Sequence, residues 1–385
     1  MDRRGPVHPV SLTEVCRSST TFRVKCLKLG DALLGRALAA GVKLSPRTPT
    51  PMVNGRVRRI LIIRPGGIGD AVLAMPFIRQ TKRAFPQASI DLLAEGRNAA
   101  VFSALHGAVD HCDAYDRRPW RFWRSAGRAP YDLVFDTEQY HHASALMAWA
   151  TRAPVRVGFD TNPRRNRCYT ILVPYRHEEF EGMSFLRMLS AVTGQVAAVN
   201  WDRPFLDPRA EDLEWAKERL SPRSAVALAL RGGIRERCWE PQKVRELLLR
   251  LLTRDLDICL LGGRADRGLA KDLSRVLPRE RMRNVVGQAS LLQSAAVLSR
   301  CRVFVGTDSG LMHLASGVGT PVVALFGAGI EAKWAPPGSR HRILNRHLPC
   351  SPCTRFGYTP RCPIGVQCLR DLSVDEVWAA VCELL

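Results

Sequence analysis

No apolar run in this sequence approaches the roughly 18 unbroken residues that a spanning helix needs, so a transmembrane anchor is not expected. Arg3 and Arg4 stand near the N-terminus, but no apolar core of about 7–15 residues and no small-residue cleavage site follow them. A secretory signal is therefore not expected either. No short-period repeat is visible, which sets solenoids aside. Acidic residues are scarce beside basic ones: 36 Asp and Glu face 57 Lys and Arg, a net charge of +21. Such an excess favours an anionic partner, whether nucleic acid, acidic lipid headgroups or a phosphorylated substrate. Charge alone does not choose among them, and an Arg-rich proteome would produce the same excess without any partner.

What is present fits a soluble globular chain. Apolar residues make up 46% and charged residues 24% of 385 positions, enough for two domains with separate cores. The twelve cysteines are diluted by length, and most stand singly in apolar runs, such as Cys259 in LDICLLGG and Cys301 in SRCRVFVG. These read as reduced core residues, and no disulfide framework is expected.

Residues 1–56 read as a basic extension, with ten Lys or Arg against three acids. Cys26, Leu27, Leu33, Leu34, Ala37 and Leu38 recur at helical spacing, with Lys25, Lys28 and Arg36 on another face. Two readings stay open: a helix lying on an anionic membrane surface, or one packed on the domain behind it. A Pro-rich linker, SPRTPTPMVNG, follows.

From residue 57 short apolar runs alternate with helical periodicity. VRRILII, ASIDLLA, YDLVFD and VRVGF read as strands, with helices over 71–84, near 99–105 and over 141–151. The pattern pauses around 195–210 and restarts with AVALAL, LDICLLGG, RNVVG, RVFVGTD and PVVALFG, between helices over 241–253, 265–277, 290–299 and 309–318. This is the grammar of parallel sheets covered on both faces, written twice. An α/β fold of two Rossmann-like βα domains follows, one over 57–203 and one over 204–385.

Two strings carry candidate chemistry. In RILIIRPGGIGDAVLAMP, a buried strand runs into Gly66, Gly67 and Gly69, and a helix begins near Asp70. Glycines at a strand's carboxyl end let backbone N–H groups approach a ligand closely. The third glycine of a dinucleotide fingerprint is missing, which argues against an NAD-dependent oxidoreductase. Asp70 reads either as a helix cap or as a catalytic acid/base. In VFVGTDSGLMHLASGVGTPVVALFG, Thr307, Asp308, Ser309 and Gly310 lead into a helix that carries His313 about one turn in. A helix N-terminus with free N–H groups suits a diphosphate.

Together these strings resemble glycosyltransferase family 9, the ADP-heptose:lipopolysaccharide heptosyltransferases. The family's GDxVLxxP motif stands here as Gly69, Asp70, Val72, Leu73 and Pro76, and its DSGxMHLAxxxGTPxVxLFG motif stands nearly complete from Asp308 to Gly327. The resemblance covers roughly residues 57–385. It implies a GT-B fold with two halves facing across a cleft, the donor held mainly by the C-terminal half and the acceptor by the N-terminal half. It implies inverting transfer of heptose, or a related sugar, from a nucleotide-diphosphate donor such as ADP-heptose to a lipopolysaccharide-core-type acceptor by single displacement, with no metal ion and no cofactor; a relative that transfers another sugar to a different glycan or to protein stays open. Asp70 matches the proposed general base. Asp308, with Thr307, Ser309, Gly310 and His313, matches the donor-diphosphate site. Arg237 falls where the family often has a Lys before a Trp-Pro pair, kept here as Trp239 and Pro241 with Glu240 between them.

The leaving nucleoside diphosphate builds negative charge, which Arg231, Arg237 and a helix N-terminus could stabilise in place of a divalent cation. Gly262, Gly263 and Asp266, at the end of CLLGG, suit a ribose contact, and a plain cap remains open for Asp266. On the acceptor side, Gly66, Gly67 and Gly69 are joined by DRRPWRFWRSAGR, where Arg117, Arg118, Arg121 and Arg124 interleave with Trp120, Phe122 and Trp123. This stretch suits phosphorylated sugars, a membrane interface or single-stranded nucleic acid, and a solvated loop remains open. The RRNR stretch over 164–167 adds charge. Cys350, Cys353, Cys362 and Cys368 have a spacing at which four thiolates could hold a structural Zn²⁺, though the family keeps these positions without an obligatory metal. The expectation is a monomer in the cytoplasm, peripheral on the inner face of the bacterial cytoplasmic membrane. Its expected partners are a nucleotide-sugar donor, an anionic glycolipid acceptor and the anionic membrane surface, with no nucleic acid.

Overall fold

A computed structural model describes residues 30–31, 35–42, 57–117, 122, 130–220, 225–254, 256–275, 278–355 and 357–385. Among them are two six-stranded sheets, ordered β3-β2-β1-β4-β5-β6 and β12-β11-β10-β7-β8-β9. The first comprises β1 (Arg59–Arg64), β2 (Ser89–Ala94), β3 (His111–Ala114), β4 (Leu133–Asp136), β5 (Val155–Asp160) and β6 (Ile171–Pro174). The second comprises β7 (Ala225–Ala229), β8 (Asp257–Leu261), β9 (Met282–Asn284), β10 (Cys301–Thr307), β11 (Val322–Phe326) and β12 (His341–Asn345). Every strand pair in both sheets is parallel.

Counted from its own first strand, each sheet has the order 3-2-1-4-5-6, which places a topological switch point between its first and fourth strands. The inner strands explain the unbroken apolar runs. Ile60 to Ile63 are buried on both faces of β1, as are Val226, Ala227 and Leu228 of β7, so no polar alternation survives.

The helices, in chain order, are α1 (Arg36–Gly41), α2 (Ile68–Ala84), α3 (His142–Ala150), α4 (Pro163–Asn166), α5 (Glu181–Thr193), α6 (Ala210–Arg219), α7 (Pro241–Leu252), α8 (Arg267–Ser274), α9 (Leu291–Leu298), α10 (Gly310–Gly317), α11 (Glu331–Trp334), α12 (Gln367–Arg370) and α13 (Val374–Leu384). The chain crosses between the sheets over 195–209, where the Phe205 and Leu206 N–H groups donate to Gly317 O at 2.8 and 2.9 Å. Arg79 of α2 holds the same crossing through Phe205 O and Asp207.

The described part of the N-terminal extension is packed on the first half. Ala39 and Val42 are buried in a core with Leu61, Ile63, Val134 and Tyr169. Asp31 receives the N–H groups of His142 and Ala143 at the start of α3. The buried face runs through Gly35, Ala39 and Val42, whereas Ala37 and Leu38, expected on the apolar face, are exposed. Of the two readings left open by the sequence, these residues take the packed one. Residues 25–28 lie outside the described residues.

Candidate active site

Both switch points open toward one cleft. Beyond β1, Gly66 turns with φ +102°, a conformation that a residue with a Cβ rarely adopts. The Asn98 side chain fixes that turn by donating to Arg64 O and Gly66 O at 3.2 Å each. Gly67 is the N-cap of α2 and supplies no side chain, so Asp70 lies in the first turn near the positive end of the helix dipole. Among the described residues the half-buried Asp70 carboxylate accepts no hydrogen bond and forms no ion pair. The cap reading therefore finds no hydrogen bond among the described residues.

The two glycine strings meet. A Cβ on Gly69 would stand 2.4 Å from His313 Cδ2, and one on Gly310 would stand 2.9 Å from Ile68 Cβ. Helices α2 and α10 thus approach so closely that glycine is needed on each side. The glycines that the sequence suggests for ligand approach therefore also make room for the facing helix.

The second switch point lies between β7 and β10. Asp308 is 4% exposed, and its Oδ2 meets Arg237 Nη1 at 2.9 Å. Arg237 also reaches Thr354 Oγ1 at 3.4 Å, and its guanidinium stands 5.8 Å from the Trp334 ring centre. Ser309 is the N-cap of α10 but its hydroxyl makes no capping bond. Thr307 Oγ1, Ser309 Oγ, His313 Nδ1 and Arg237 Nε are all buried without a hydrogen-bond partner. Native interiors leave few polar atoms unsatisfied. Four within one motif and its facing arginine mark a place for polar ligand atoms or ordered water. Burial holds the His313 pKa below its usual value despite the nearby Asp308 and Asp70, so its imidazole is neutral at neutral pH.

The other donor candidates divide. Arg231 donates to Asp266 Oδ1 and Ala265 O, both at 2.6 Å. Asp266 Oδ2 accepts from Gly263 N at 2.7 Å, and a Cβ on Gly262 would meet that same oxygen at 2.7 Å. Asp266 therefore closes its own turn and neutralises Arg231.

On the acceptor side Arg117 is exposed and donates to Gly96 O at 3.1 Å, near the carboxyl ends of β2 and β3. Arg118, Trp120, Arg121 and Arg124 lie outside the described residues. Two residues of the basic stretches lie inside the protein. Phe122 is buried in the core. Arg165, of the RRNR stretch, is fully buried against Asp136 (3.2 Å), Glu138 O (2.6 Å) and the Tyr169 hydroxyl (2.8 Å). It answers the charge of Asp136, which no stretch of flanking sequence reveals.

Cys350, Cys353, Cys362 and Cys368 line one small cavity with Glu236. Among the described residues, however, no group of three or more His, Cys, Asp or Glu side chains is placed to hold a metal ion. Cys362 Sγ accepts from Val366 N at 3.2 Å, and Cys368 packs beneath Gly327, where a Cβ would lie 2.6 Å from its sulfur. Cys362 and Cys368 are thus engaged by their own surroundings and Cys350 is exposed, so the zinc geometry is not formed.

Arg64, Glu138, Tyr175, Glu181, Lys333 and Trp334 were not anticipated. Arg64 is 1% exposed, donates to Pro65 O and Thr137 O, and approaches Glu138 Oε2 at 3.8 Å beside the Gly66 turn. Glu138 stands just past β4, where the strand-end rule would have flagged it.

Two parallel α/β halves, with glycine turns meeting across facing switch points, define the GT-B architecture of glycosyltransferases. Residues 119–359 match the sequence profile of glycosyltransferase family 9 (heptosyltransferase). The chain belongs to that family and is a glycosyltransferase. It is 24% identical over 315 residues to lipooligosaccharide heptosyltransferase 2 of Haemophilus ducreyi, covering 75% of this chain and 88% of the relative. Its fold is like that of the E. coli ADP-heptose lps heptosyltransferase II, with a TM-score of 0.67 at 20% identity, over 85% of this chain and 98% of the other. The family 9 glycosyltransferase of Veillonella parvula gives 0.72 at 16% identity, over 87% and 99%.

Proposed function

We propose that this enzyme transfers heptose, or a closely related sugar, from an ADP-linked donor to a lipopolysaccharide-core-type acceptor, with inversion and without a metal ion. The observation that carries the reading is the set of unsatisfied atoms at the start of α10: Thr307 Oγ1, Ser309 Oγ and His313 Nδ1, facing Arg237. They offer donors at a helix N-terminus beside a cation, the chemistry that receives a leaving diphosphate. Arg237 is the principal cation: although it pairs with Asp308, it stands beside these atoms and its buried Nε has no partner, whereas Arg231 is engaged by Asp266 and Ala265 O. Asp70 takes the proton of the acceptor hydroxyl as that oxygen attacks the anomeric carbon. In the same step the bond from that carbon to the diphosphate oxygen breaks, and its electrons leave with the diphosphate. The names of the relatives support the heptose donor and the lipopolysaccharide acceptor.

The basic composition supports work at the inner face of the cytoplasmic membrane, and we read the chain as a monomer there. Incubating the purified enzyme with ADP-heptose and a heptose-deficient lipopolysaccharide core, with and without EDTA, tests the reading. Product mass should rise by one heptose in both. A product formed only from UDP- or GDP-sugars would overturn the donor assignment. Activity lost in EDTA and restored by Mg²⁺ would overturn the metal-free step.

A further inference from the structure

Lys333 belongs to the second half of the chain, yet each hydrogen-bond and ion-pair partner of its ammonium lies in the first. Nζ is 2.8 Å from Glu181 Oε2 and donates to Arg176 O at 3.1 Å and Glu179 O at 3.4 Å. It also stands 4.1 Å from the Tyr175 ring centre. Lys333 and Glu181 are each 1% exposed. Glu181 is gripped from the other side, by Gln139 Nε2 on Oε1 and by the Tyr175 hydroxyl at 3.1 Å on Oε2. Lysine is among the residues least often fully buried, and a buried charge persists only where it is paired.

The next residue links this tie to the candidate site. Trp334 supports the Arg237 guanidinium, and Arg237 pairs with Asp308. The four-residue helix α11 is thus pinned to the acceptor half by Lys333 while it supports the donor-side cation through Trp334. At the other end, burial chiefly raises the pKa of Glu181 and of Tyr175, and the nearby Asp70 charge adds to the rise in both, so the tie lies within electrostatic reach of the base. A displacement that draws one reactant from each half depends on how the halves are set. A misplacement of about 1 Å can cost on the order of 10²-fold in rate.

We infer that Lys333 and Glu181 are positioning residues for sugar transfer. Neither touches the reacting atoms; together they set the Arg237–Asp308 side of the cleft against the Asp70 side. This rests on the reading of Arg237 and Asp70 given above.

The test compares Lys333→Met, Glu181→Gln, their combination and Lys333→Arg by steady-state kinetics with ADP-heptose and the core acceptor. Each single charge removal should lower kcat by roughly 10- to 100-fold, with KM for the donor changed by less than about threefold. The double variant should be no worse than the worse single, because the pair acts as a unit. Lys333→Arg should recover part of the loss. Folded single variants with kcat within about twofold of the parent would overturn the inference, as would additive losses in the double variant. Amide exchange supplies a readout that needs no substrate. Lys333→Met should raise exchange at 176–181 and 331–334 together, by about tenfold, and leave the sheets unchanged. Unchanged exchange at either segment would sink the tie. A parent enzyme that ignores ADP-heptose while Lys333→Met loosens both segments would sink the functional reading and leave the tie standing.

Discussion

Gly69→Ala adds one methyl group at the contact between the two halves, and its effect should reverse sign with the residue opposite. The new Cβ would stand 2.4 Å from His313 Cδ2 and 2.9 Å from Nε2. Non-bonded atoms settle at about 3.5–4.0 Å, so roughly 1 Å of movement is required. His313 is 3% exposed and cannot swing into solvent. Helix α10 is also held at its far end by the Phe205 and Leu206 N–H groups on Gly317 O. Overpacking of this kind costs about 1–3 kcal/mol. Against it stands the helix propensity of Ala over Gly, at most about 1 kcal/mol and less in a first turn. The clash wins, for a net loss of about 1–2 kcal/mol. With His313→Ala the imidazole is gone and only the propensity remains, so Gly69→Ala should then be neutral or slightly stabilising. The coupling in the double-mutant cycle should be about 2 kcal/mol. Urea unfolding of the four proteins, compared by midpoint at constant m-value, measures it. An equal loss in both backgrounds would show that His313 is not what the methyl group meets, and the proposed contact between the halves would fail.

Asp70→Asn should lower turnover by about two orders of magnitude or more while leaving ADP affinity nearly unchanged, because the carboxylate acts on the acceptor; turnover near that of the parent would reduce Asp70 to a feature of the helix start. Arg237→Ala should weaken ADP binding measured by calorimetry by about tenfold or more, since it removes the cation and leaves Asp308, 4% exposed, without its partner; unchanged ADP affinity would move the diphosphate elsewhere. Asp31→Ala should cost about 0.5–2 kcal/mol at neutral pH, by analogy with cap loss. Burial raises the Asp31 pKa, but hydrogen bonds from the His141 ring and the His142 and Ala143 N–H groups outweigh it and hold it below the usual value. Its contribution is therefore full above about pH 4 and fades as pH falls through the lowered folded pKa. The stability gap between parent and Asp31→Ala should close toward acid pH, and a constant gap would deny the charged cap.

Interior strands were legible because both faces of each are buried: RILII, DLLA, AVALA, DICLL and VVALF needed no alternation to be recognised. Of the four edge strands only Met282–Asn284 was legible, through the overlapping RNVVG; His111–Ala114, Ile171–Pro174 and His341–Asn345 were not. His111–Ala114 and His341–Asn345 are only partly covered, and their polar residues hide the pattern. Helix α5 escaped notice although Phe185, Leu186, Leu189 and Val192 recur at helical spacing. Helices α6 and α13 were also missed. The two glycine strings could be read because backbone approach at a strand end demands glycine. What could not be read was charge inside the protein. Nothing in GIEAKWAPP separates Lys333 from a surface lysine, and nothing in PRRNR separates the buried Arg165 from the half-buried Arg164 or the exposed Arg167. Their burial depends on Glu181 and Asp136, which stand 152 and 29 positions away in sequence. The turn of the N-terminal helix was misjudged for a similar reason, since its buried face is set by Asp31 reaching α3.

The mutual fit of Gly69 with His313 and of Gly310 with Ile68 has a consequence for how such sequences can drift. Each position is tied to a partner more than 200 residues away, in the other half of the chain. A larger residue at 69 becomes acceptable only after 313 has shrunk, and a larger one at 310 only after 68 has. Recombination that exchanges one half for that of a distant cousin would therefore break both pairs at once. Functional chimaeras should be recovered only when positions 68, 69, 310 and 313 travel together.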